Sequence, residues 1–158
     1  MPITDKFFAI NIRKYLALGD DHEAGESALI QLLSGFSCPK NPDVEHFLKK
    51  NAIEFTKKNQ SVTYLVFSKD NGEMLGYFTL ALKPLTIRGE TVSNTTKRKL
   101  LRVSELDVKS DTYTMSAYLI AQLGKNYADG RNREIAGKEL IELAWMIIEK
   151  TQYMFGGM

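Results

Sequence analysis

Tyr113-Thr-Met-Ser-Ala-Tyr-Leu-Ile-Ala-Gln-Leu-Gly-Lys-Asn126 runs through residues 127–136 into Gly137-Lys-Glu-Leu-Ile-Glu-Leu-Ala144, a succession that reads as strand, polar loop and helix. From Tyr113 to Leu123, β-branched, aromatic and aliphatic residues follow one another without a breaker, which predicts a buried central strand. Asn126, Asp129, Gly130, Arg131 and Asn132 are turn formers. After them Leu140, Leu143, Ala144, Ile147 and Ile148 recur at helical spacing and share one face. A loop that leaves a central strand and opens a helix gathers unpaired backbone N–H groups and the positive end of the helix dipole. Such a point suits a phosphate. Every α/β crossover has this outline, so the outline alone does not choose a ligand.

Working outward, Val62–Ser68 and Met74–Lys83 are two strands joined by Lys69-Asp-Asn-Gly72, whose Asn-Gly pair tolerates positive φ; together they predict a hairpin. Upstream, Asn41 is placed to N-cap a helix with Pro42 at its first position. Val44, Phe47, Leu48, Ala52 and Phe55 give that helix one apolar face. An earlier helix carries Ala28, Leu29, Leu32, Leu33 and Phe36, with Gly35 as its C-cap, and Phe7–Ile12 reads as the first strand. The acidic run Gly19-Asp-Asp-His-Glu23 is a loop at a helix approach, and its spacing matches no metal site. His46 lies off the apolar face of its helix and reads as a surface histidine.

Between hairpin and central strand, Pro84 to Asp111 reads as polar and irregular, longer than most connections between antiparallel neighbours. Inside it Asn94–Arg102 predicts a short helix bearing Lys97, Arg98, Lys99 and Arg102. That cluster either steers an acidic or RNA-linked substrate or is an exposed solubilising insert; no aromatic residues interleave it as a stacking platform.

The chain of 158 residues, 44% hydrophobic, is large enough for one domain with its own core. A net charge of +2 is too small to argue for nucleic acid by itself. Cys38, the only cysteine, excludes an internal disulfide, fits a reducing cytoplasm and reads as a buried thiol. No apolar run is long enough to span a bilayer and no leader pattern opens the chain, so a cytoplasmic location without membrane attachment is expected.

The order β-α-α-β-β-β-α, with Gln122-Leu-Gly-Lys-Asn126 as a strand end and Gly137-Lys-Glu-Leu140-Ile141 as a helix start, resembles the GCN5-related N-acetyltransferase (GNAT) superfamily. Phe36-Ser-Cys-Pro-Lys-Asn-Pro-Asp-Val44 adds a likeness to its bacterial, toxin-related members, and Phe78-Thr-Leu-Ala-Leu82 resembles the family's third strand. In the family's Arg/Gln-x-x-Gly-x-Gly/Ala loop, Asn132 and Ile135 depart from the usual residues and Gly137 is retained; a register shifted by one brings Arg131, Glu134 and Ala136 to those places. The resemblance implies a GNAT-like mixed, mostly antiparallel sheet flanked by helices, of α/β (α+β) class. It further implies acetyl-CoA as cosubstrate, no metal, and transfer of an acetyl group to a primary amine. Leu123, Gly124 and Lys125 would lie beside the pantetheine, and Asn132, Arg133, Ala136, Gly137 and Lys138 around the pyrophosphate. The attacking amine would meet the thioester directly, with backbone N–H groups near the strand end stabilising the oxyanion and a general acid protonating the thiolate.

Family members continue past this helix into a fifth strand, a helix and a final hairpin, and their general acid is commonly a tyrosine in that part. Lys150–Met158 stands where the fifth strand should begin, so the resemblance implies a single domain truncated in its C-terminal third, an open edge on the central strand, and no nameable catalytic residue. On the last helix Ile141, Trp145 and Ile148 form a second apolar stripe, which a missing segment, a second copy or a protein partner would cover unless Trp145 merely borders the core. Two rival readings stand beside the enzyme: a non-catalytic protein-binding module of the same shape, and a toxin acetylating aminoacyl-tRNA.

Overall fold

The computed structural model describes residues 1–17 and 22–158. The acidic run 19–23 therefore lies largely outside the described residues. Five strands form one sheet in the order β1-β2-β3-β5-β4, with β1 Phe7–Asn11, β2 Val62–Ser68, β3 Met74–Arg88, β4 Glu105–Asp107 and β5 Thr112–Lys125. The helices are the single turns α1 Ile3–Lys6 and α2 Arg13–Leu16, then α3 His22–Ser34, α4 Pro42–Lys50, α5 Ala52–Lys57, α6 Asn94–Leu100 and α7 Gly137–Phe155. This is the mixed α/β architecture with an antiparallel sheet that the sequence predicts.

The chain divides into two compact units, one of residues 1–81 and 120–146, the other of residues 82–119 and 147–158. In the first unit, β1 pairs antiparallel with β2, and β2 with β3. Alternation decides the layering. Tyr77 faces Phe36, ring edge to ring face, and donates its hydroxyl to the Val44 carbonyl at 2.6 Å, which fixes α4 on that side. One residue earlier Gly76 faces the other way, and an added Cβ there would lie 3.2 Å from Leu140 of α7. Helices thus cover both faces of β3, and its residues 74–79 are buried throughout. The principal core gathers Ile12, Leu29, Leu33, Phe36, Leu48 and Tyr77 with neighbours from β2. Cys38 is buried in it, as expected, and His46 is exposed. Thr63 and Thr79, cross-strand partners, satisfy each other's hydroxyls at 2.7 Å inside the sheet.

Several expectations are corrected. The helix read as continuous from Pro42 to Phe55 breaks at Asn51 into α4 and α5, so its apolar positions belong to two short helices. Asn41 precedes Pro42 as expected, yet its side chain makes no cap bond; its carbonyl accepts from Val44 and Glu45 instead. Glu45 turns back to accept the Cys38 N–H at 2.7 Å, and this bond, with Lys49 adding to it, holds its carboxyl below the usual glutamate range. Gly35 follows α3 without adopting positive φ, whereas Gly72 in the hairpin turn has φ 72°.

In the second unit the largest correction lies between Pro84 and Asp111. The stretch is built rather than irregular: β3 continues to Arg88, a 3-10 turn covers Gly89–Thr91, and α6 follows with the Ser93 side chain accepting the Thr96 N–H. β4 then pairs antiparallel with Thr112–Thr114 of β5. Leu100, Tyr113 and Met115 form a small core with Ile87, Val92 and Leu106, so apolar residues spaced too widely to show a period are collected by the turns. The Gly89 N–H donates to the Asp111 carbonyl at 2.7 Å, and a side chain at Gly89 would displace the Asp111 carboxylate.

β5 is correspondingly less buried than predicted, because β4 covers only its first residues and exposed positions alternate with buried ones after Thr112. Past α7 the chain turns through Gly156 and Gly157, φ 75° and 100°, and Met158 meets the edge of β5. Its N–H donates to the Ser116 carbonyl at 2.8 Å and its carbonyl accepts from the Tyr118 N–H, which is the parallel sense. The Tyr118 hydroxyl donates to the Gly156 carbonyl at 2.6 Å.

On α7, Leu140, Leu143, Ala144 and Ile148 are buried as the helical spacing predicts. The second stripe is shorter than predicted: Ile141 and Trp145 are half exposed, but Ile148 is 4% exposed and leaves it. No helix among the described residues is long and apolar enough to cross a membrane.

Candidate functional site

The candidate site lies wholly in the first unit, where β5 gives way to α7. On the side of β5 away from β3, no strand runs alongside Ile120–Lys125 among the described residues, since the pairing with β4 is confined to Thr112–Thr114. Along this open edge Gly124 is buried, and Leu123 and Lys125 are half-buried. Gly124 has no room for a side chain, because an added Cβ would collide with Val44 Cγ1 of α4.

Asn126 ends the strand and is fully buried, although the sequence reads it as a turn former. Its backbone N–H donates to the Leu75 carbonyl at 2.7 Å and its side-chain amide donates to the Met74 carbonyl at 2.9 Å. Its side-chain oxygen accepts the N–H groups of Ser37 and Ala128, both at 3.1 Å. Tyr127 then donates its N–H to the Ser37 carbonyl at 2.7 Å, with the Lys40 ammonium 5.5 Å from its ring centroid.

The loop is wound as 3-10 turns over Ala128–Arg133, with Asp129 and Gly130 both left-handed at φ 54° and 74°. Glycine meets that geometry without cost. Ile135, in the same loop, is buried. Arg131 turns to Glu73 at 3.3 Å and Asp129 at 3.9 Å, and Glu134 accepts from Asn71 at 3.0 Å. Two residues of the shifted register are thereby committed to neighbours. Asn132 is half-buried, and Arg133, Lys125 and Lys138 make no ion pair among the described residues.

α7 opens at Gly137 with Ala136 as its N-cap residue. Because alanine carries no capping oxygen, Glu139 supplies one: its carboxylate accepts the Ala136 N–H at 2.9 Å, the returning half of a capping box, and lies 3.7 Å from Lys6 Nζ. The Ala136 carbonyl takes the Glu139 and Leu140 N–H groups. The amides of Gly137 and Lys138 are left without an acceptor among the described residues. Two free amides at the positive end of a 19-residue helix, with Arg133 and Lys138 close by in the chain, are the kind of donor set that suits an anion. These residues fit a diphosphate.

The eight residues read from the sequence thus divide between the open strand edge and the loop with its helix start, and all lie in one unit. Sequence reasoning missed Asn126, whose position after an apolar strand imitates a turn, and Glu139, whose capping box is hidden by the alanine at its head.

No family profile matches the chain, and no curated protein matches it in sequence. Solved structures do match it. AtaT complexed with acetyl-methionyl-tRNAfMet superposes with a TM-score of 0.58 at 14% identity, covering 95% of this chain and 73% of that one. A Tyr-to-Phe variant of KacT gives 0.62 at 16% identity, covering 96% and 74%, and a chain described as a bacterial toxin gives 0.56 at 10%, covering 95% and 68%.

Proposed function

We propose that this chain, which carries the fold of the GNAT toxin acetyltransferases, binds acetyl-CoA and supports acetyl transfer to a primary amine. The observation that carries the reading is the unpaired edge of Ile120–Lys125 followed, after the loop of residues 126–136, by the free Gly137 and Lys138 amides. Leu123, Gly124 and Lys125 offer the edge along which an amide-bearing pantetheine arm would pair. Asn132, Arg133, Ala136, Gly137 and Lys138 surround the place for its diphosphate, with Arg133 and Lys138 free to make charge-assisted bonds. When bound, acetyl-CoA supplies the activated acyl group as a thioester. The chain's own residues bind and orient it, and none is assigned a proton-transfer role.

Calorimetry with acetyl-CoA tests the reading. Saturable binding is expected, and replacing Arg133 and Lys138 together by Gln should weaken it about tenfold, the effect of losing roughly one charge-assisted bond. No binding at millimolar ligand would leave a protein-binding module as the better description.

The finer reading, a toxin acting on aminoacyl-tRNA, is favoured by one observation beyond the fold. The exposed face of α6 presents Arg98 and Lys99, followed by Arg102, and neither these nor Lys97 makes an ion pair among the described residues. Growth arrest on expression, with acetylated aminoacyl-tRNA appearing in the cells, is the expected result; harmless overexpression would count against it.

A further inference from the structure

We propose that Asn126 is a positioning residue for the coenzyme site, holding the loop of Ala128–Arg133 and the start of α7 where a diphosphate can meet them. The inference rests on the acetyl-CoA reading above.

Asn126 is 0% exposed, and each of its side-chain groups is used. The amide N–H₂ reaches back to the Met74 carbonyl on β3, while the oxygen reaches forward to the Ala128 N–H, the first residue of the loop, and sideways to the Ser37 N–H ahead of α4. One side chain thus ties the end of an unpaired strand edge to the neighbouring strand, to the connection between α3 and α4, and to the loop. On its other side Ile120–Lys125 has no partner strand among the described residues to hold it in register. The Tyr127 N–H to Ser37 carbonyl bond closes the same ring of contacts. A shorter polar residue would not span these three partners, and an apolar one would leave the Ser37 and Ala128 amides without an acceptor.

The division of labour inside the side chain makes the idea testable. Asn126→Ala removes both halves. Asn126→Asp keeps the acceptor half and, when protonated, also recovers the donor to Met74. Ionised, it keeps the acceptor for the Ser37 and Ala128 N–H groups but loses the donor to the Met74 carbonyl, so it separates the half that holds the loop from the half that ties it to β3. Thr63→Val, which disrupts the buried hydroxyl pair with Thr79, serves as a control for loss of stability away from the loop.

Dissociation constants for acetyl-CoA are measured on the full chain, at a temperature where circular dichroism shows each variant folded. Asn126→Ala should bind at least about tenfold more weakly than wild type, while Thr63→Val stays within about twofold. Asn126→Asp, which keeps the acceptor for the Ala128 N–H, should bind more tightly than Asn126→Ala. Equal affinities for Asn126→Ala and Thr63→Val overturn the inference and leave Asn126 a core residue; should Asn126→Ala not fold, Asn126→Ser takes its place, and an affinity within about twofold of wild type does the same. Absence of binding by wild type sinks the coenzyme reading itself, which is a different result.

Discussion

At Gly124 a missing side chain sets how closely a helix approaches a strand. An added Cβ would meet Val44 Cγ1, and Val44 is buried, β-branched and attached to a backbone whose carbonyl already accepts from Tyr77. A stiff side chain on a pinned helix has nowhere to go. Gly124→Ala should therefore destabilise by about 1–3 kcal/mol through overpacking, read as a fall in melting temperature. Val44→Ala should offset part of that loss in the double variant. Additive losses would show that α4 yields instead. None of this is visible in Gln122-Leu-Gly-Lys-Asn126 as a string. The sequence marks Gly124 as a strand residue near a loop, but the partner that makes glycine necessary lies far upstream at Val44. Asn126 is the same case with the sign reversed: its polarity suggests solvent, and partners from distant segments put it in the core.

At the scale of elements, legibility follows how local the cause is. The β2–β3 hairpin is readable because alternation and an Asn-Gly turn lie within a few residues, and α7 because its apolar positions repeat over many turns. The stretch after Pro84 is not, since its core residues Ile87, Val92, Leu100, Leu106, Tyr113 and Met115 follow neither period and become neighbours only through tertiary turns. α6 is readable in place but not in its start. Ser93 caps it, accepting the Thr96 N–H at 3.2 Å, and only Leu100 of the helix is buried. A seven-residue helix with one buried anchor depends heavily on its cap. Ser93→Ala should cost about 1 kcal/mol, felt as faster amide exchange from Lys97 to Leu101 with little change in the first unit. Unchanged exchange there would mean that packing of Leu100 alone holds the helix.

For the whole molecule, the small net charge of +2 conceals an uneven division. The unit of residues 82–119 and 147–158 carries eight Lys and Arg against five Asp and Glu, so the rest of the chain is slightly acidic. Overall charge is thus a poor guide to nucleic-acid binding here, because the surplus is concentrated on the unit that holds α6. Arg98, Lys99 and Arg102 are exposed there beside Leu101 and Val103, which are also exposed, and the acidic residues of β4 make no ion pair with these cations among the described residues. If an RNA-linked amine is the acceptor, its phosphates should supply much of the binding energy, and that part is salt-dependent. Replacing Lys97, Arg98, Lys99 and Arg102 by Ser should weaken tRNA binding and flatten the dependence of log K on log salt by up to about three, at ~0.7–0.9 for each phosphate no longer neutralised. Acetyl-CoA affinity should not move, because none of the four belongs to the strand edge or the α7 start. A variant that keeps the wild-type salt slope would place the acceptor elsewhere, and one that loses acetyl-CoA affinity as well would show that these substitutions do not act on the acceptor alone.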